Sequence, residues 1–90
     1  MKINRVEIDD DILCSDKFLD LSTTTQCLYF HMCINADKDG NVNNTRSILR
    51  YLNLPISSLK SLIEAHLVTS NVAVELLAFY KCKVITKHGK

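Results

Sequence analysis

An α+β fold, in which three main helices precede a β-hairpin, is the fold class that this 90-residue sequence predicts. Apolar residues recur at three- and four-residue steps over residues 23–35, as they do in a helix with one buried face. Two shorter segments with helical periodicity, about 45–52 and 56–66, are separated by the tight turn Asn53–Pro55. After Leu67 the pattern changes to β-favouring and aromatic residues interleaved with charges, which indicates strands.

Length and composition indicate one folded domain. With 47% hydrophobic and 23% charged residues, the chain has the composition of an ordinary globular domain. The N-terminus lacks the apolar segment of a signal peptide, and no apolar run approaches the ~18–20 residues that span a bilayer. The four cysteines show no CxxC spacing. We therefore expect a cytoplasmic protein with reduced thiols and no membrane partner.

The net charge of +1 conceals an uneven distribution. Residues 1–40 contain four basic and eight acidic side chains, whereas residues 41–90 contain seven basic and two acidic ones. A basic half of a chain is what a polyanion partner such as DNA requires. Chance variation in a short sequence is the alternative explanation.

The first 15 residues are expected to form an N-terminal arm. Val6 and Ile8 alternate with acidic residues, which is typical of a short strand or an extended segment. Asp9–Asp11 predicts a solvated acidic turn, and a short helical turn capped by Ser15 or Asp16 is predicted to follow.

The longest predicted helix has Ser22 or Thr23 as its N-cap, and Thr23 has the capping-box spacing to Gln26. An acidic turn containing Asp37 and Gly40 ends this helix, with Gly40 expected at positive φ. Its predicted inward stripe consists of Cys27, Leu28, Phe30, His31, Ile34 and Asn35, with Met32 and Cys33 beside them.

The segment after this helix predicts a short strand and a second helix. Val42 lies alone between polar residues, as in a very short strand, and Asn43 or Asn44 is the predicted cap of the helix at 45–52. The third helix, at 56–66, is expected to turn Leu59 and Leu62 inward.

Helix, short strand, helix, tight turn, helix and hairpin, in this order, make up the winged helix-turn-helix arrangement. Residues 68–88 are expected to supply two or three strands with a turn near Tyr80–Lys83, and a helix over 75–80 is the alternative. The predicted single domain therefore divides into an arm (1–15), a helical part (16–66) and a wing (67–90).

In this arrangement nine polar or basic side chains are candidates for DNA contact, drawn from two helices and the wing. They are Arg46, Arg50, Ser57, Ser58, Lys60, Ser61, Lys81, Lys83 and Lys87. The arginines are four residues apart and suit the DNA backbone, the serines and Lys60 form the predicted outer face of the recognition helix, and the lysines suit a wing. For the two helices the alternative is an ordinary solvated face, and for the wing it is edge-strand lysines that discourage aggregation.

Metal binding and catalysis are not predicted, and no cofactor is expected. A calcium loop counted from Asn35 would place Arg46 at position 12, where a bidentate Glu is needed. Cys27 and His31 supply only two zinc ligands, and no second pair has suitable spacing. No nucleophile with a positioned base, and no phosphate-binding glycine loop, can be assembled, so an enzyme is not expected.

The sequence SDKFLDLSTTTQCLYFHM, followed by ADKDGNVNN, resembles the N-terminal domain of phage replisome organisers. These are replication initiators of phages and prophages of low-GC Gram-positive bacteria. The similarity continues more weakly through SILRYLNLPISSLKSLIEAHLV to KVITKHGK, where Gly89 stands in place of an aromatic residue.

This resemblance implies a winged-helix domain that binds duplex origin DNA. Family members usually continue into a second domain that engages a replication helicase or its loader, so such a protein is an implied partner, and a homodimer is compatible with this role. One alternative is a stand-alone phage protein that uses the same scaffold to bind a host or phage protein. A transcriptional regulator is a further alternative.

Overall fold

The computed structural model describes residues 2–3, 6–69 and 82–87 of the chain. The helices in these ranges are α1 (Asp10–Leu13), α2 (Asp16–Leu19), α3 (Thr23–Asn35), α4 (Thr45–Leu52) and α5 (Ile56–Glu64). The strands are β1 (Lys2–Ile3), β2 (Val6–Glu7), β3 (Asn41–Val42), β4 (Val68–Thr69) and β5 (Cys82–Val84).

A small antiparallel sheet has the strand order β3-β5-β4, and β1 pairs separately with β2. Asn41 of β3 and Thr69 of β4 both lie opposite Lys83, so β5 is the central strand of the three. The predicted α+β class is confirmed, as are the strand at Val42 and the change to strands after Leu67. The predicted turn near Tyr80 and the alternative helix over 75–80 lie outside the described residues.

The N-terminal arm contains a helix where a turn was predicted. Asp10 and Asp11 form the first turn of α1, where carboxylates are favoured by the positive end of the helix dipole. The prediction of an irregular acidic turn was wrong because the buried side chain of Ile12 anchors this helix to the core. The following short helix is confirmed, and its N-cap Ser15 accepts a hydrogen bond from the Phe18 backbone N–H.

The longest helix, α3, has the predicted bounds, and its N-cap is the first of the two predicted residues. Ser22 is the N-cap and accepts a hydrogen bond from the Thr25 N–H at 3.2 Å. The capping box predicted between Thr23 and Gln26 is absent, because the Gln26 amide donates to the backbone carbonyls of Phe18 and Leu21. Gln26 thereby holds the end of α2 against the start of α3.

The buried face of α3 is formed by Leu28, Tyr29, Met32 and Cys33, none of which has exposed surface. This face packs against α4, α5 and β5. The predicted stripe was rotated about the helix axis, since Cys27 and Ile34 are exposed. A helix that is apolar on nearly every side does not reveal from periodicity which side faces the core.

Tyr29 connects α3 to the far end of the sheet. Its hydroxyl donates a hydrogen bond of 2.6 Å to the Ile85 carbonyl, and its ring meets Phe18 edge-on at 5.6 Å. Burial, reinforced by the neighbouring Cys33, raises the pKa of Tyr29 above its usual value of 10.0. The phenol is therefore neutral in the folded state. Its contribution to the free energy of unfolding is lost as the pH rises above the pKa that Tyr29 has in the unfolded chain.

The turn between α3 and β3 has the predicted chemistry. The Asp37 carboxylate accepts hydrogen bonds from the N–H groups of Asp39 and Asn41, both at 2.9 Å. Gly40 has φ +88°, and a Cβ atom there would lie 3.0 Å from the Val84 carbonyl oxygen. The glycine is therefore required both by the backbone conformation and by the close approach of β5.

Both α4 and α5 end with a left-handed residue that is not glycine. Asn53 has φ 58° and His66 has φ 61°. In each case a later N–H bonds back to the final turn: Leu54 to the Leu49 carbonyl, and Leu67 to the Leu62 carbonyl. These are Schellman motifs. The third helix therefore ends at Glu64, two residues earlier than predicted, because the Leu62–Leu67 bond turns the chain toward β4.

We expect Tyr29→Phe to destabilise the protein by about 1–2 kcal/mol, because it leaves the Ile85 carbonyl without its donor. The free energy of unfolding is measured by urea denaturation. Tyr51→Phe is the matched control, since Tyr51 is 79% exposed and should change stability by less than about 0.5 kcal/mol. Equal effects of the two substitutions would contradict the assigned role of the Tyr29 hydroxyl.

We expect His66→Gly to stabilise the protein by about 0.5–1 kcal/mol, because a side chain in the left-handed region is strained. Asn53→Gly is the comparison, and its gain should be smaller because asparagine tolerates this conformation. Thermal unfolding of the two variants measures the difference. A destabilised H66G protein would show that the imidazole makes a contact that outweighs the backbone strain.

Candidate nucleic-acid interface

The two arginines of α4 lie on one exposed face. Arg46 and Arg50 are one turn apart, and both are exposed to solvent. The opposite face of α4 is anchored by Ile48 and Leu49, which are buried. The fold thus brings together the two guanidinium-bearing positions that were predicted to contact a phosphate backbone.

The outer face of α5 contains three of the four residues predicted for it, together with an acidic residue. Ser57, Lys60 and Glu64 are exposed, and Ser61 is half-buried. Spaced at about 100° per residue, these four positions span roughly a third of the helix circumference. The Ser61 hydroxyl donates to the Ser57 carbonyl at 3.1 Å, so its proton is used within the helix.

Ser58 does not belong to this outer face, and the prediction that it points outward was wrong. Its side chain is only 8% exposed. Ser58 is one residue before the buried Leu59 and four before the buried Leu62, which places it at the edge of the inward face of α5. Ser58 therefore presents little surface to a ligand that approaches α5 from solvent.

Of the three predicted wing lysines, Lys83 lies on a strand. It is exposed between the buried Cys82 and Val84, as is usual for alternate residues of a strand with one buried face. Lys87 is exposed and lies beyond β5, which ends at Val84. Lys81 lies outside the described residues.

Lys83 and Lys87 line a groove of about 570 Å³ that sequence reasoning did not identify. The turn between α3 and β3 adds Lys38 and Asp39 to its wall, and β2 adds Glu7. No local signal marks Lys38 as a neighbour of Lys83, because the pairing of Asn41 with Lys83 across the sheet brings them together. The groove is mixed in charge, with three basic and two acidic side chains.

The cysteines divide into two exposed and two buried side chains. Cys14 and Cys27 are exposed, whereas Cys33 and Cys82 are buried. Burial raises the pKa of Cys33 to about 12, although its interaction with the Tyr29 hydroxyl acts in the opposite direction, and burial also raises the pKa of Cys82. Since a metal ligand must be a thiolate, this environment disfavours metal binding by the two buried residues.

Within the described ranges, no group of three or more His, Cys, Asp and Glu side chains is placed to hold a metal ion. The calcium-like sequence around Asp37 instead uses its carboxylate to close the turn before β3.

No protein-family model, curated protein or solved structure matches this chain. Across the part of the chain that the structure describes, none of the helices combines the length and apolar character needed to cross a membrane.

We expect two of the four cysteines to react with a thiol reagent such as DTNB in the folded protein at about pH 8. Cys14 and Cys27 should react rapidly, and Cys33 and Cys82 only on unfolding, because burial suppresses both their access and their thiolate. Absorbance with and without denaturant gives the counts. In a Cys14→Ser and Cys27→Ser double variant, rapid reaction of any thiol would contradict the described core.

Proposed function

We propose that this chain is a winged-helix domain that binds duplex DNA, of the type found in phage replisome organisers. One observation supports the proposal most: the elements follow the order α3, β3, α4, α5, β4, β5, with the sheet order β3-β5-β4. A helix-turn-helix followed by two antiparallel strands is the arrangement by which a recognition helix and a wing are presented together.

In the proposed complex, α5 enters the major groove. Recognition helices contact base edges with their N-terminal residues, and in α5 these are Ser57 and Lys60. Lys60 can donate to guanine or to a phosphate, and Ser57 to several bases. Glu64 lies at the C-terminal end of the same face, where its charge is farthest from the bases.

Arg46 and Arg50 would then contact the DNA backbone, since the helix that precedes a recognition helix crosses it. Lys83, on β5, would add a phosphate contact from the sheet, and Lys87, which lines the same groove, is a further candidate. Lys81 remains a candidate from the sequence pattern alone. These contacts position the domain without reading sequence. Their number determines how steeply affinity falls as salt rises, at about 0.9 per phosphate neutralised.

The replication role in this proposal comes from the resemblance to replisome organisers, with a helicase or helicase loader as the implied protein partner. A regulator of transcription would use the same contacts at a promoter. The two roles differ in where the preferred sites lie, so selection of bound fragments from the source genome distinguishes them. Fragments clustered at a replication origin support the initiator.

A second candidate function is protein binding. Leu19 and Ile34 are large apolar side chains that are about half exposed, at 58% and 45%. Both belong to the first 40 residues of the sequence, where acidic side chains outnumber basic ones. Exposed apolar side chains in an acidic setting suit a basic, amphipathic segment of a host or phage protein better than they suit DNA.

We expect the protein to bind fluorescently labelled duplex DNA in an anisotropy titration, with affinity that falls steeply as salt is raised. Arg50→Ala and Lys60→Ala should each weaken binding and reduce the salt slope by about 1. Lys17→Ala is the control, because it removes the same charge from an exposed position on α2 and should leave the slope unchanged.

Absence of duplex binding even at low salt would overturn the DNA proposal and favour the protein-binding candidate. Equal losses in the K17A, R50A and K60A proteins would mean that only net charge matters, and the assigned interface would then be wrong.

A further inference from the structure

A second groove lies between α3 and α4, separate from the groove that Lys38, Lys83 and Lys87 line. It has a volume of about 370 Å³ and is lined by His31, Asn35, Asn44, Ser47, Ile48 and Tyr51. Ile48 forms the apolar floor and continues into the core, whereas the other five side chains are polar or aromatic. The size falls within the range of small-ligand pockets.

Tyr51 is the most exposed residue of its kind in this groove. Its side chain is 79% exposed, more than any other large apolar or aromatic side chain in the described ranges. Its ring centroid lies 5.9 Å from that of His31, with the planes tilted by 54°. This contact holds one side of the phenol ring against α3 and leaves the remainder open to solvent. An oriented, exposed ring is a platform on which another flat group can stack.

The rim of the groove carries hydrogen-bonding groups that are only partly used. The Asn44 side-chain amide donates to the side-chain oxygen Oδ1 of Asn35 at 3.1 Å, and the Asn35 side-chain amide donates to the His31 backbone carbonyl at 2.8 Å. These bonds fix both asparagines, yet within the described residues the Asn44 Oδ1 atom has no donor, and the Ser47 hydroxyl has no partner. The groove therefore presents a carbonyl acceptor and a hydroxyl beside the ring.

The groove shares α4 with the two arginines. Going around this helix, Ser47 lies about 60° from Arg50 and Tyr51 about 100° from it. A nucleic-acid backbone whose phosphates contact Arg46 and Arg50 would thus run beside the groove, because the groove residues are neighbours of Arg50 on α4. A nucleotide offers the same combination: a charged phosphate, and a flat base with donors and acceptors on its edge.

We propose that this groove binds one unpaired nucleobase of single-stranded DNA. Tyr51 stacks on the base, Asn44 and Ser47 bond its edge, and Arg50 holds the adjacent phosphate. Duplex DNA cannot fill the site, because its bases are stacked and paired and extruding one of them costs energy. The inference rests on the proposed function in one respect: the ligand is DNA. It adds to that function a site beside α4 that binds single-stranded DNA and not duplex DNA.

A short oligothymidylate of about 12 nucleotides, within the usual range of single-strand sites, is the probe. In anisotropy titrations Tyr51→Ala should lose roughly tenfold in affinity for it, and Tyr51→Phe should retain most of the affinity because stacking needs only the ring. Duplex affinity should stay within about twofold for both variants. Since Tyr51 is exposed, urea denaturation should show unchanged folding of both variants.

An abasic oligonucleotide of the same length and charge separates base binding from phosphate binding. Wild-type protein should bind it about as weakly as the Y51A protein binds oligothymidylate. The inference is overturned if the wild-type protein binds no single strand, if Y51A binds it as tightly as wild type, or if the abasic strand binds equally well.

Failure of the groove and failure of the duplex proposal are distinguishable. Duplex binding that is salt-dependent, with no effect of Y51A on either ligand, removes the groove and leaves the duplex interface. Base-dependent binding of oligothymidylate without duplex affinity supports the groove and removes the duplex interface. Capture of a protein at this face, with no affinity for either form of DNA, removes both.

Discussion

Burial of one face of α3 is the constraint on which the rest of the structure depends. Leu28, Tyr29, Met32 and Cys33 have no exposed surface, and α4, α5 and β5 all pack against this helix. Removing that apolar surface from water is the dominant favourable contribution to folding. In a chain of 90 residues there is little room for a second core, so helices and sheet alike are arranged around α3.

Polar contacts determine how the elements are oriented on that core. The Tyr29 hydroxyl reaches the Ile85 carbonyl, 56 residues away in sequence, and so ties the helix to the end of the sheet. The Gln26 amide donates to the carbonyl of Phe18 in α2 and to that of Leu21 just beyond it, which holds the N-terminal part of the chain beside α3. Each of these donors bonds a backbone carbonyl that folding removes from water. Because an acceptor left without a donor costs free energy, these bonds favour one relative orientation of the elements.

The candidate surfaces are a consequence of this packing. The inward faces of α4 and α5 lie against α3, so most of the polar and basic residues of these two helices are on their outward faces. Arg46 and Arg50 face solvent on α4, and Ser57 and Lys60 face solvent on α5. The duplex interface and the nucleobase groove that we propose both depend on α4. In these proposals Arg46 and Arg50 contact phosphates, and Tyr51, on the adjacent side of the helix, stacks on a base.

The sequence alone determined the three main helices, the short strand at Val42 and their order. Periodicity and capping residues located α3, α4 and the start of α5, and Gly40 marked its turn, because each of these signals acts between residues close together in the chain. The Asp9–Asp11 segment escaped this reasoning, since the burial of Ile12 that supports α1 is a tertiary effect. The resemblance to replisome organisers also came from sequence, and it remains the source of the replication hypothesis.

Only the tertiary structure decided which side of each helix faces inward and which distant residues meet. It buried Ser58, rotated the apolar face of α3 toward Tyr29 and Met32, and left Tyr51 exposed beside His31. Strand pairing, not any local pattern, brought Lys38 next to Lys83. The physical reason is the same in every case: burial and contact depend on what packs against a segment, and those partners lie far away along the chain.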